Sequence, residues 1–228
     1  MLLDQANIIR ENRKTVKITI ENNGKLTIIC PKTLALNRLN EILQSRENYL
    51  IKKIKAITQI RAENKDIIEL KKILLLGKEY YVVVTDKVGK GYFVDDTFLL
   101  PKRCLNDVNK QKNFIKKNLK EIAKKVINNR VESLINSTNG LYKFKQIVIG
   151  NFKSKWGSCD SQKIIKFNWK IIMLSPKLID FIICHELTHL FELNHSKKFY
   201  SNLQKIFPDH KICRAELKKY SFLLNVFN

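Results

Sequence analysis

A chain of 228 residues, 44% apolar and 28% charged, is long enough to bury a full core as one domain or two small ones, which excludes a disordered or fibrous polypeptide. No apolar run approaches the roughly 18 residues that span a bilayer, and Asp4, Gln5 and Asn7 interrupt the start where an export signal needs an apolar stretch, so a cytoplasmic protein without a membrane partner is expected. The formal charge is +22, but 35 of the 43 basic residues are lysines spread evenly along the chain, which reads as compositional bias as much as a dedicated surface and leaves a nucleotide or nucleic-acid partner open. Five scattered cysteines (Cys30, Cys104, Cys159, Cys184, Cys213) form no CxxC pair, so free thiols are expected and neither a disulfide framework nor a cysteine metal cluster is implied.

In chain order, Lys14–Pro31 alternates apolar and polar residues on both sides of Asn22-Asn23-Gly24 and predicts a β-hairpin. Leu39, Leu43, Leu50, Ile54 and Ile57 form an apolar stripe that predicts one helix from about residue 36 to 57. "KEYYVVVTD" and "KGYFVDD" read as a second strand pair around Lys87-Val88-Gly89-Lys90. A boundary near residue 105 then separates a mixed α/β N-terminal region, 1–105, from a second domain, 106–228. That domain opens with a long basic helix from about Asp107 to Asn136, whose Lys116, Lys117, Lys120, Lys124 and Lys125 read as a solvated face. After Gly140, "KQIVIGNF" and "KIIKFNWKIIML" read as strands, and Ser175-Pro176 opens the next helix with an N-cap and a proline at its first position. No internal repeat is visible.

That helix carries "FIICHELTHLFELNH", Phe181 to His195, which holds three of the chain's four histidines. His185 and His189, one turn apart, stand on one side of a helix that is otherwise apolar nearly all round, with Glu186 beside them. A buried ionisable group must be paired, neutralised or metal-bound, and three gathered together favour a metal. Two imidazoles at i and i+4 can reach one Zn²⁺, and the neighbouring carboxylate then stands beside the water as general base. His195 supplies a third ligand if the helix ends near Asn194 in a left-handed cap and the turn swings His195 back, which leaves the fourth position of a single zinc ion open. His210 reads as a surface or supporting residue.

"KSKWGSCDSQKIIKFNW" followed by "IDFIICHELTHLFELNHSKKFY" resembles the signature of the YgjP-like metallopeptidases, zincins related to the SprT-like proteases. The likeness extends to "CPKTLALN" and "LLGKEYYV". It implies an α+β fold, in which a small mixed α/β N-terminal region precedes a zincin-like domain with its HExxH helix packed on a short sheet. It also implies His185, His189 and His195 as ligands and Glu186 as base. The family pattern has Arg where Lys155 stands, Leu at Phe167 and Trp at Tyr200. Lys155 and Trp156 are candidates for binding substrate, Asn168 for bonding an extended peptide or supporting a ligand, and Tyr200 for donating to a developing oxyanion. Trp156 and Tyr200 also read as packing, and Asn168 as one polar outward position in an alternating strand. By the same resemblance, substrate lies along an edge strand, here the one containing Phe167 and Asn168.

The function expected first is therefore zinc-dependent hydrolysis of peptide or protein substrates, with Glu186 as base. One alternative is a metal-dependent nucleoside triphosphate pyrophosphatase or phosphohydrolase using the same site, although the chain has no GxxxxGK[ST] loop. Another is a nucleic-acid-associated protease. A purely structural zinc module comes last, because such sites are closed by four protein ligands.

Overall fold

Apolar alternation around residue 24 folds back on itself and closes the first sheet. The computed structural model of the chain describes residues 2–21, 23–138 and 141–227, which divide into two compact units, Met1–Lys65 and Asp66–Asn228.

The first unit contains β1 (Ala6–Glu11), β2 (Lys17–Ile20), β3 (Leu26–Pro31), α1 (Leu36–Gln44) and α2 (Glu47–Glu63). β3 is central, parallel to β1 and antiparallel to β2. β2 and β3 form the expected hairpin, with Gly24 at φ +85°; Asn22 of its turn lies outside the described residues. Every second residue of β3, Leu26, Ile28 and Cys30, joins Leu39, Leu43 and Leu50 in one core, as the period of two dictates. The single helix expected over 36–57 is broken in two. Arg46 leaves the helical region (φ −121°, ψ 5°), and the Ser45 hydroxyl donates back to the Ile42 carbonyl, which offers the chain a local bond in place of a continued ladder.

The short α3 (Lys65–Ile68) precedes β4 (Lys72–Leu75), β5 (Lys78–Thr85), β6 (Tyr92–Val94) and β7 (Thr97–Pro101), a sheet of order β4-β5-β7-β6. Leu76 and Gly77, both at positive φ, make the two-residue β4–β5 turn. β5 and β6 do not pair as expected. β7 inserts between them, parallel to β5 and antiparallel to β6, because its Phe98 and Leu100 are fully buried while β6 is short and exposed on alternate residues. This sheet belongs to the second unit rather than to the N-terminal region expected to reach residue 105: the Leu76 N–H donates to the Ile172 carbonyl at 2.8 Å.

α4 (Val108–Ser137) starts where the sequence places it, with the Asp107 carboxylate accepting from the Lys110 N–H. Ile115, Leu119, Ala123, Ile127 and Val131, one on each turn, are its buried ridge. Next come β8 (Gln146–Gly150), β9 (Gly157–Cys159) and β10 (Ile164–Asn168); Gly140 lies outside the described residues. β10 is central, parallel to β8 and antiparallel to β9. The strand expected to run to Leu174 stops at Asn168, whose side chain accepts from the Lys170 N–H and starts a buried 3-10 turn, Trp169–Met173, against α4. α5 (Pro176–Thr188) is capped by Ser175 with Pro176 in its first turn, and Arg130 of α4 grips Asp180 of α5 through both carboxylate oxygens at 2.6 and 2.8 Å. The chain ends in α6 (Lys197–Ile206), α7 (His210–Leu217) and α8 (Leu223–Val226). The fold is therefore mixed α and β with small sheets, and the HExxH helix packs on the short sheet through β9. All five cysteines are free, and among the described residues no helix is long and apolar enough to cross a membrane.

Candidate metal centre

Burial of Leu178, Ile179, Phe181, Ile182, Ile183, Cys184 and Leu187 holds α5 nearly all round and gives His185 and Glu186 a rigid base. The helix ends at Thr188, not near Asn194. The Thr188 hydroxyl donates to the Cys184 carbonyl at 2.7 Å, and the Thr188 carbonyl accepts from both the Phe191 and Glu192 N–H groups, which tightens the last turn. Asn194 does not take the left-handed conformation. His195 returns by a different device: it directly precedes Ser196, which caps α6 by accepting from the Phe199 N–H, and fully buried Phe199 packs its ring against all three imidazoles at 4.5–5.0 Å between centroids.

One nitrogen from each of His185, His189 and His195 lies within 4.8 Å of the other two, and the Nε2 atoms of His185 and His195 stand 3.0 Å apart. His189 Nδ1 is 2.9 Å from the Glu192 carbonyl, which can only accept, so Nδ1 carries the proton and Nε2 presents its lone pair. Burial, reinforced by His189 and His195, lowers the His185 pKa to about 3, and burial lowers that of His195 too. Both rings are therefore neutral near pH 7, the form a metal needs. Two buried polar atoms of this site, His185 Nδ1 and Glu186 Oε2, are without a hydrogen-bond partner among the described residues. Converging neutral imidazoles beside an unsatisfied carboxyl fit a metal ion.

Glu186 is 5% exposed. Its burial pushes the pKa up to about 8, opposed only weakly by Lys155. β9 closes over it: a Cβ at Gly157 would lie 2.6 Å from Glu186 Oε1, so only glycine lets strand and carboxyl meet. The residues at this point converge on a cleft of about 410 Å³ lined by Trp156, Gly157, Phe181, Ile182, His185, Glu186, His195 and their neighbours. The family comparison decides whose cleft this is, since a YgjP-like metallopeptidase domain matches residues 14–220. The chain belongs to the YgjP-like metallopeptidase family. It is accordingly a hydrolase whose family implies a metal and peptide substrates. Among solved structures, one similar chain is the metallopeptidase zymogen jannalysin of Methanocaldococcus jannaschii, at 28% identity and a TM-score of 0.34 over 40% of this chain and 91% of that one. No curated protein matches.

Within this YgjP-like metallopeptidase the remaining sequence candidates separate. Lys155, Trp156 and Tyr200 line the cleft; Lys155 donates to the Ser158 hydroxyl at 2.9 Å, and the Tyr200 ring stands 6.1 Å from that of His195. Asn168 is not among the lining residues. It is fully buried, and its amide donates to the Phe152 and Lys155 carbonyls at 2.7 and 3.0 Å, so it holds the 152–155 segment that leads into β9. The strand carrying Phe167 and Asn168 is central rather than at an edge, and β9 is the strand beside α5. His210 is buried and bonded to Gln204, outside the histidine cluster. Lys116, Lys117, Lys120 and Lys124 line a separate concavity of about 450 Å³ with Asn151 and Trp169. Sequence reasoning missed Arg214, which lines the cleft from α7 and had no local signal to mark it.

The buried acid and base give the metal-free protein a distinctive pH profile. Glu186 folds with its pKa raised from 4.5 to about 8, so its contribution is present below pH 4.5 and is lost as pH rises to about 8. His185 folds with its pKa lowered from 6.5 to about 3, so stability is lost as pH falls from 6.5 towards 3. Unfolding of metal-free protein is expected to show a stability maximum between these opposing slopes. Glu186→Gln is expected to flatten the decline between pH 6.5 and 8, and an unchanged decline in that variant would assign it to another group.

Proposed function

We propose that the protein is a zinc-dependent peptidase in which His185, His189 and His195 hold one Zn²⁺ per chain and Glu186 is the general base. The observation that carries this reading is the convergence of three imidazole nitrogens beside a buried, unsatisfied carboxyl. An all-imidazole set suits zinc, and three ligands rather than four are what a catalytic site offers. When bound, zinc supplies Lewis acidity, lowering the pKa of a water towards about 7 and polarising the scissile carbonyl. Glu186 accepts the proton of the attacking water at a carboxylate oxygen and delivers it to the leaving amide nitrogen. Phe199 fixes the three rings, and the His189–Glu192 bond sets the tautomer. β9, paired on one side with β10, offers its other side to an extended peptide, and the Tyr200 hydroxyl, which accepts from Arg214, has its proton available for a substrate oxygen.

The test is incubation of zinc-loaded wild type and Glu186→Gln with a mixed pool of peptides and nucleoside triphosphates, read by mass spectrometry. New peptide termini in the wild type alone are expected. Loss of triphosphate without peptide cleavage would instead favour the phosphohydrolase alternative, which the family comparison does not support, as it does not support a nucleic-acid tether. Five free cysteines are in keeping with a cytoplasmic site of action.

A further inference from the structure

The cleft contains a cation to which the proton transfers above assign no part. Arg214 is exposed on α7 and lines the cleft beside the apolar side chains of Phe181, Ile182 and Leu217. Its Nη1 donates to the Tyr200 hydroxyl at 2.8 Å, and its guanidinium lies over the Tyr200 ring, 5.6 Å from the centroid. Tyr200 is itself stacked on His210, at 6.0 Å and 24° between ring planes, and His210 is buried and held by Gln204 at 2.9 Å. The arginine is thus pre-positioned on a fixed aromatic platform, with one N–H committed. Among the described residues no carboxylate forms an ion pair with it, in contrast to Arg130 with Asp180 and Lys177 with Asp209 in the same unit.

A planar guanidinium held in this way matches a carboxylate through two parallel N–H bonds, a geometry that a lysine cannot reproduce. The apolar side chains beside it lower the local polarity and strengthen that pairing relative to open water. Peptides offer two carboxylates of this kind, the C-terminal group and the Asp or Glu side chain.

We propose that Arg214 is a specificity-determining residue that binds a substrate carboxylate in the cleft. The assignment rests on the reading of that cleft as the peptidase site. Arg214 selects among peptides, and Lys155 in the same cleft adds positive potential without the planar fork.

The test uses zinc-loaded full-length protein and matched peptides that differ only in carrying a free C-terminus or an amide, or an Asp or Asn beside the cleavable bond. Cleavage is measured as kcat/KM for wild type and Arg214→Gln. Binding of the same peptides is measured separately on Glu186→Gln, alone and combined with Arg214→Gln, through the fluorescence of Trp156, which lines the cleft. The carboxylate form is expected to be favoured about tenfold or more, with the ratio falling to near one in Arg214→Gln, as loss of a charge-assisted pair implies. The arm that shows the preference identifies the carboxylate. A wild-type ratio near one in both arms, or a ratio that survives Arg214→Gln, overturns the proposal. If no peptide is cut but binding keeps an Arg214-dependent preference, the peptidase reading fails while the assignment of Arg214 stands. Cleavage without discrimination gives the reverse, and neither cleavage nor preference overturns both.

Discussion

Glu186→Gln is expected to lower peptide hydrolysis by about 10²–10⁴-fold while leaving fold and zinc content unchanged, the range for loss of a positioned general base. The substitution preserves shape in a buried position, 5% exposed, where burial already favours the uncharged carboxylic acid in the metal-free protein. A neutral amide there costs little, and the three imidazoles are untouched. Elemental analysis and denaturant unfolding, run beside steady-state kinetics, separate the outcomes. A variant that lost zinc would place Glu186 among the residues that hold the metal. Retained turnover would remove it from the proton transfer altogether.

Gly157→Ala carries the second large effect. The added methyl would lie 2.6, 2.7 and 2.8 Å from Oε1, Cγ and Cδ of Glu186, closer than real Cβ contacts. Neither partner moves freely: Glu186 sits on a helix buried nearly all round, and Gly157 is registered opposite Phe167, which is fully buried. Displacement of the carboxyl by about 1 Å is expected to cost about 10²-fold in kcat, and crowding about 1–3 kcal/mol in stability. The three atoms nearest the new methyl all belong to Glu186 and none to a histidine, so zinc binding should persist. Kinetics and zinc titration on the same preparation check this, and undiminished kcat would mean that the contact between β9 and Glu186 is dispensable.

The site was more legible in the sequence than the sheets. A histidine pair one turn apart on an apolar helix is a local pattern, as are the Ser175-Pro176 start and the one-per-turn ridge of α4, and local patterns survive folding because they depend only on helix geometry. β9 was not legible as a strand. Gly157, Ser158 and Cys159 have little strand preference of their own, and pairing with β10 imposes the conformation. The place of β7 between β5 and β6 depends on which strand buries more, a tertiary matter that adjacency in the chain obscures. The end of α5 at Thr188 was hidden because the apolar pattern continues to Leu193 while Thr188 bonds back to Cys184. Arg214 reaches the cleft from α7, far along the chain from the histidines, and no local spacing could place it there.

Titration of chelator-stripped protein with zinc, with bound metal and peptide cleavage followed in the same samples, tests the central claim most directly. Activity should rise in proportion to bound zinc and level off at one ion per chain, and His195→Ala should bind weakly and stay inactive, since it removes one of the three proposed ligands. Cleavage by the stripped protein at full rate, or tight binding of one zinc per chain in His195→Ala, would contradict the account.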